Sequence, residues 1–181
     1  MLNFWLMIKQ VTESVLFGGR KRGKDELIFA ALGDLDEASC FLGSARVLTR
    51  GEINKILLQL QQDLGQMAAL IAGDQSVTNL DQRLAWLEDQ IKKFQAQAPE
   101  TKGFVFAGRN ELEVRFHLAR VVVRRLERQV VALSRKQAVP ESLLNYLNRL
   151  SWLLFLFAAT ADAFLVCDGQ TNLPKLRSPK Q

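Results

Sequence analysis

Histidine occurs once in the 181 residues, as His117, and cysteine twice, as Cys40 and Cys167. A histidine-rich metal site, or a Ser-His-Asp triad drawn from scattered histidines, has almost nothing to be built from. The cysteines lack metal-ligand spacing and both sit in apolar stretches, so a reduced cytoplasmic protein is the simplest expectation. Only four prolines are present, and of these only Pro99 and Pro140 fall between strongly periodic segments, which leaves room for long helices. Period-two alternation is nearly missing: apart from Gly103–Ala107 no stretch reads as strand. The N-terminus, MLNFWLMIKQVTES, has no basic leader and no small-residue cleavage site, so a secretory signal is not expected. One apolar run, Leu150–Cys167, has the length for a membrane span. Asp162 interrupts it, Ser151 and Thr160 add polarity, and no second span would shelter a charge, so it reads as a buried core helix.

The chain is otherwise that of an ordinary globular protein, 48% hydrophobic and 24% charged, of a size that makes one domain and buries about 70% of its unfolded surface. Its net charge of +5 and pI near 9.5 favour anionic partners without distinguishing nucleotide, nucleic acid or membrane surface. Periodicity and punctuation predict five helices: Asp25–Thr49, Ile53–Ala72, Leu80–Ala96, Asn110–Arg135, and a last one with Pro140 just inside its start. Gly51 separates the first two, Gly73-Asp74-Gln75-Ser76 forms a turn, and a loop covers Gln97–Gly108. The fold class is all-α, an up-and-down five-helix bundle, whose ligand sites fall between helices or at subunit junctions. The bundle domain spans 25–167, preceded by an N-terminal segment over 1–24 that contains a glycine-rich basic loop and followed by a tail over 168–181.

Arg120, Arg124 and Arg128 recur every four residues, so on a helix they fall at about 0°, 40° and 80° and form one cationic stripe. Glu127 sits beside them, while Val122, Val123, Leu126 and Val130 occupy the opposite arc. Such a stripe is either an ordinary solvated face or a binding surface for a polyanion, to which arginine offers planar paired donors. Three further clusters carry the same ambiguity. Gly18–Lys24 combines three glycines with four cations, a phosphate-binding loop or a flexible basic linker, but without the spacing of a Walker loop. Asp34, Asp36 and Glu37 lie within one turn, to bind a divalent cation, pair with arginines or face water. Asn148 and Arg149 stand at the mouth of the apolar last helix, where adenine, ribose or another helix would satisfy them.

Taken together, HLARVVVRRLERQVVAL, YLNRLS and ALGDLDEASCFLG resemble the PduO-type ATP:cob(I)alamin adenosyltransferase family. Its members carry an HxAR-x3-RRAER-x-V helix, a YLNRLS helix and a GxxDELNS helix. Leu16-Phe17-Gly18-Gly19-Arg20 followed by Lys24-Asp25 also resembles the family's LFGGxR…KDD, and the likeness extends over roughly residues 16 to 160. It implies a homotrimer with active sites between adjacent subunits. The implied reaction transfers the 5′-deoxyadenosyl group of ATP to the cobalt of cob(I)alamin or a related corrinoid and releases tripolyphosphate. The implied ATP-holding residues are Arg124, Arg125, Glu127 and Arg128, with Asn148 on the nucleotide and Lys24, Gly18 and Gly19 near the phosphates. Asp36 and Arg120 match a carboxylate–arginine pair that shapes the site across the subunit boundary, and Arg120 and Arg124 with Asp36 are the implied catalytic residues. Phe104 matches the aromatic residue on the lower face of the corrin. Mg²⁺ is expected to accompany ATP, with no metal site of the protein's own, and neither nucleic acid nor membrane is an expected partner.

The chain departs from the family in its first segment. Where relatives carry TGDxGxT, it has Ile8-Lys9-Gln10-Val11-Thr12-Glu13-Ser14, without glycines to present backbone amides to a triphosphate. Ala38-Ser39 replaces leucine-asparagine, Trp152 stands where an aspartate is usual, and Phe104-Val105-Phe106-Ala107-Gly108 lacks the family's proline. The resemblance is therefore compatible with a working transferase that has a divergent phosphate loop. It is also compatible with a weakened relative that binds corrinoid or nucleotide as a trimeric scaffold or regulator.

Overall fold

A computed structural model of the chain describes residues 12–99 and 105–164. Five helices account for most of it: α1 Leu27–Arg46, α2 Gly51–Ala72, α3 Leu80–Gln95, α4 Glu111–Ser134 and α5 Glu141–Ala159. The boundaries follow local chemistry. Asn110 caps α4 by accepting the Glu113 amide at 2.8 Å, and Glu111 and Glu113 place negative charge in its first turn. Gly73 ends α2 in the left-handed region at φ 111°, where its own amide and that of Asp74 return to Leu70 and Ala69. The guanidinium of Arg20 lies where a side chain at position 73 would project, so this glycine answers two demands at once. The last turn of α1 closes earlier than the periodicity predicts because the Thr49 hydroxyl bonds the Arg46 carbonyl at 2.9 Å. The Asn54 amide donates to the carbonyls of Arg46 and Thr49 and draws that end onto α2. Pro140 stands one position before α5 as its cap, at φ −58°, rather than inside it.

Consecutive helices alternate in direction. α4 packs between α1 and α5, α2 lies beyond α1, and α3 lies beyond α5. Polar ties close the ring between α2 and α3: Lys93 pairs with Glu52 at 2.5 Å, and Arg83 approaches Asp63 at 3.3 Å. The interior is filled by the apolar arcs expected from spacing. On α4, Val122, Val123, Leu126 and Val130 are all buried, and on α5 Leu150, Leu153, Leu154 and Phe157 are. Each such side chain contributes about 1.5–3 kcal/mol on burial. Phe157 meets Phe94 of α3 edge-on at 4.9 Å and Phe116 of α4 at 5.4 Å, locking three helices at one end.

The run read as a core helix from Leu150 ends at Ala159. Asp162 lies beyond it in a short 3-10 turn, exposed, where it pairs with Arg109 at 3.2 Å and accepts from Asn110 at 2.6 Å. Among the described residues no helix is long and apolar enough to cross a membrane. Two expectations need correction. The glycine-rich basic segment is neither an open linker nor wholly irregular: β1 Glu13–Val15 and β2 Lys21–Gly23 pair antiparallel around a 3-10 turn at Phe17–Gly19. Three-residue strands are too short for alternation to register, and the turn depends on Gly18 and Gly19, both with φ near +77°. Cys40, placed by its neighbours in an apolar setting, is exposed on α1. Part of Gly103–Ala107, Cys167 and the 168–181 tail lie outside the described residues.

The core encloses a carboxylate, Asp63, whose side chain is fully buried. It accepts from the Tyr146 hydroxyl at 2.7 Å and from the Gln59 amide at 2.9 Å. Burial, reinforced by the Asp63 charge, pushes the Tyr146 hydroxyl well above its ordinary range, so it stays a donor. Tyr146→Phe should lower stability by about 1–3 kcal/mol, because a buried carboxylate loses a partner it cannot replace with water. Urea denaturation measures this, and an unchanged midpoint would show that the hydroxyl contributes nothing.

Candidate active site between the fourth and fifth helices

The alternating directions set the C-terminal half of α4 beside the N-terminal half of α5. Arg124 and Arg128 are exposed and Arg120 is half-buried on the outer side of α4. Asn148 of α5 donates to Glu127 of α4 at 2.9 Å and bridges the two helices. Two adjoining clefts open here. One, of about 450 Å³, is lined by Arg124, Glu127, Arg128, Val131, Ala132, Arg135 and Asn148. The other, of about 380 Å³, is lined by Arg120, Arg124, Asn148, Arg149, Ser151, Trp152 and Phe155. Because they share Arg124 and Asn148, they form one trough of a size that suits a nucleotide.

Among the described residues Arg120, Arg124 and Arg128 have no carboxylate within ion-pair distance. Burial, with the Arg124 charge adding to it, pulls the Arg120 guanidinium below its ordinary value. Arg128 donates to the Arg124 carbonyl at 3.0 Å, which steadies its side chain without neutralising it. Arg125 is placed differently. It turns away from the trough to α1, donating to Asp34 at 2.9 Å and pairing with Glu37, and the Asp34 hydrogen bond holds its pKa above the ordinary value. Arg149 lines the trough but is paired with Glu88 of α3 at 2.5 Å.

Behind Arg120 stands His117, whose Nδ1 accepts from the arginine's Nε at 3.3 Å. His117 Nε2 lies 3.3 Å from Glu113. Glu113 is itself buried and accepts the backbone amides of Gly108 and Arg109 at 2.9 and 3.1 Å.

Of the residues singled out in the sequence, the fold gathers Arg120, Arg124, Glu127, Arg128 and Asn148 within one chain. Asp36 is exposed on α1 and is not brought to Arg120 in the same chain. Gly18, Gly19 and Lys24 sit in and beside the hairpin. α1 runs antiparallel to α4, so the hairpin lies toward the end of the bundle that carries Arg128 and Arg135. None of its residues lines either cleft within one chain. Phe104 lies outside the described residues. Sequence reasoning missed Arg135, Trp152 and Phe155 as lining. The signal was available: Arg135 continues the stripe seven residues after Arg128, and Trp152 and Phe155 follow Asn148 by four and seven. Trp152 and Phe155 stack at 5.3 Å with 17° between their planes and make an aromatic shelf beside the cations.

Comparison with known proteins finds relatives over most of the chain. The chain is 33% identical over 156 residues to the corrinoid adenosyltransferase of Bacillus subtilis (strain 168), covering 82% of this chain and 80% of that protein. It is 36% identical over 152 residues to the corrinoid adenosyltransferase of Citrobacter freundii, covering 80% and 86%. Among solved structures, a phenylalanine-to-alanine variant of the PduO-type ATP:corrinoid adenosyltransferase from Lactobacillus reuteri, complexed with cobalamin and ATP, superposes with a TM-score of 0.76. The two are 27% identical, over 84% of this chain and 89% of that one. Residues 10–161 match the family model described as cobalamin adenosyltransferase, and the chain belongs to that family.

Proposed function

We propose that the protein catalyses the reaction of its family: it transfers the 5′-deoxyadenosyl group of ATP to the cobalt of cob(I)alamin or a related corrinoid. The observation that carries this reading is the trough with Arg120, Arg124 and Arg128 on one wall, uncompensated by any carboxylate among the described residues. Three like charges at helical spacing cost a few tenths of a kcal/mol per pair. A bound triphosphate removes that repulsion and gains paired, charge-assisted hydrogen bonds.

The chemistry asks little acid–base work of the protein. The cobalt(I) electron pair attacks the ribose 5′ carbon, the cobalt–carbon bond forms, the carbon–oxygen bond breaks, and tripolyphosphate leaves with the electrons of that bond. What the chain must supply is alignment and stabilisation of charge on the leaving phosphates. Arg124 and Arg128 are suited to the phosphates and Asn148, held by Glu127, to the nucleoside. Arg125, clamped by Asp34 and Glu37, holds α4 against α1 and so fixes its neighbour Arg124. It would reach ATP only by exchanging those partners. Gly18, Gly19 and Lys24 would meet the phosphates at the same end of the bundle, and Phe104 the corrin.

Magnesium fits this site as a cation carried by the triphosphate. Asp34 and Glu37 are already taken by Arg125, and among the described residues no group of three His, Cys, Asp or Glu is placed to hold a metal. When bound it would neutralise part of the phosphate charge.

A homotrimer completes the reading. Leu118, Val121 and Val131 are exposed on the arginine-bearing side of α4, and Trp152 is exposed on α5. A neighbouring subunit would cover them and bring its own α1, with Asp36, toward Arg120. A cytoplasmic setting suits both the free thiol of Cys40 and a cobalt(I) substrate that oxidants destroy.

Anaerobic assay with reduced cobalamin and Mg·ATP, followed by the spectral change on cobalt–carbon bond formation, tests the reaction. Arg124→Ala should lower kcat/KM for ATP by about 100-fold or more while leaving helix content and assembly unchanged; unchanged turnover would remove the stripe from the mechanism. ATP binding without transfer by the unaltered protein would point instead to a scaffold or regulator. Sedimentation should give three times the chain mass of 20.4 kDa. Val121→Glu should dissociate the trimer and abolish transfer together, and a monomeric but fully active variant would refute the shared site.

A further inference from the structure

The only histidine of the chain stands behind the nucleotide trough rather than in it. His117 lines a crevice of about 60 Å³ with Val105, Arg109, Glu113 and Phe155, and Phe155 also lines the cleft that holds Arg120. The hydrogen positions follow from the partners. The Nε of an arginine can only donate, so Nδ1 of His117 must be the lone-pair nitrogen, and in a neutral ring the proton then sits on Nε2 facing Glu113. With Nε so occupied, both terminal nitrogens of Arg120 are left for the trough. Glu113 completes the line, for its other oxygen accepts the amides of Gly108 and Arg109. That loop is in turn anchored to the end of α5 by Arg109, which donates to the Ala158 carbonyl at 2.8 Å and pairs with Asp162.

We propose that neutral His117 is a positioning residue for ATP. It holds Arg120 from behind through Nδ1 and ties that arginine, through Glu113, to the loop at Gly108 and Arg109. The proposal rests on the reading that the trough receives ATP, and it adds a link from the loop before α4 to the middle of that helix that the arginine stripe alone does not contain. It also sets a pH requirement. The charged groups facing the ring are Glu113, Arg120 and Arg109, and α5 presents only the Phe155 ring at 6.4 Å. Burial first, opposed by Glu113 and aided by Arg120, lowers the histidine below its ordinary 6.5. The ring is therefore neutral at pH 7. As pH falls through this lowered pKa, a proton on Nδ1 removes the acceptor and sets a cation against Arg120.

Because the chain has one histidine, nitrogen-15 NMR of the side chain needs no assignment and should show the Nε2–H form at pH 7. Two variants divide the ring's roles. His117→Asn keeps an acceptor at the Nδ1 position, and His117→Gln keeps a donor toward Glu113 but no acceptor for Arg120. His117→Gln should raise KM for ATP by about tenfold, with kcat and KM for the corrinoid little changed, and His117→Asn should stay within about threefold of the parent. The parent's KM for ATP should rise at acid pH, and this acid limb should vanish in His117→Asn. A proton on Nδ1 or an imidazolium at pH 7, equal effects of the two variants, or an acid limb that survives in His117→Asn would overturn the proposal. Calorimetric ATP affinities of the three proteins separate it from the reaction itself. A parent that binds ATP without transferring it overturns the reaction, whereas equal affinities in all three overturn the role of His117.

Discussion

Three guanidinium groups held on one face of α4, without a paired carboxylate among the described residues, form the constraint around which the rest of the site is arranged. Several other arginines are paired with carboxylates: Arg125 with α1, Arg149 with α3, Arg109 with Asp162, Arg115 with Glu111. Arg120, Arg124 and Arg128 have no such partner among the described residues, and all three open onto the trough. A helix tolerates such repulsion only at modest cost, and an anion turns it into binding energy. The same face carries exposed valines, so the surface that would bind the nucleotide and the surface that asks for a protein neighbour are continuous.

Packing gives those arginines fixed positions. α4 is held between α1 and α5, its buried arc of valine and leucine setting its rotation about its own axis. Arg125 then acts as a clamp onto Asp34 and Glu37, and Asn148 with Glu127 does the same toward α5. On the far side of α5, Asp63 and Tyr146 bind α2 to the same helix through a buried hydrogen bond. Alignment of cobalt with a ribose carbon tolerates little error, and these ties lie on helices rather than loops.

Much of this was legible in the chain. The five helices appear within a few residues of their predicted bounds, because apolar spacing, Gly51, Gly73 and Asn110 act locally. Arg124, Glu127, Arg128 and Asn148 could be singled out from spacing and from the family's motifs. The hairpin at Glu13–Gly23 escaped notice because three-residue strands leave no periodic trace and its glycines suited a loop equally well. The resemblance implied that Arg125 holds ATP, but its direction depends on which carboxylates α1 presents, and those lie some ninety residues away in the chain. The roles of Trp152 and Phe155 were hidden because an aromatic at helical spacing normally belongs to the core.

The sequence by itself thus determined the helical fold class, the punctuation of its helices, the cationic face of α4 and the family to which the motifs belong. Each depends on residues near one another in the chain, where a period of 3.6 is enough to say which side chains share a face. Which of those cations would be neutralised and which left bare was decided only by tertiary structure. Charge pairing depends on partners that packing brings together from distant helices, as Asp34 and Glu37 are brought to Arg125, and no local pattern encodes that distance.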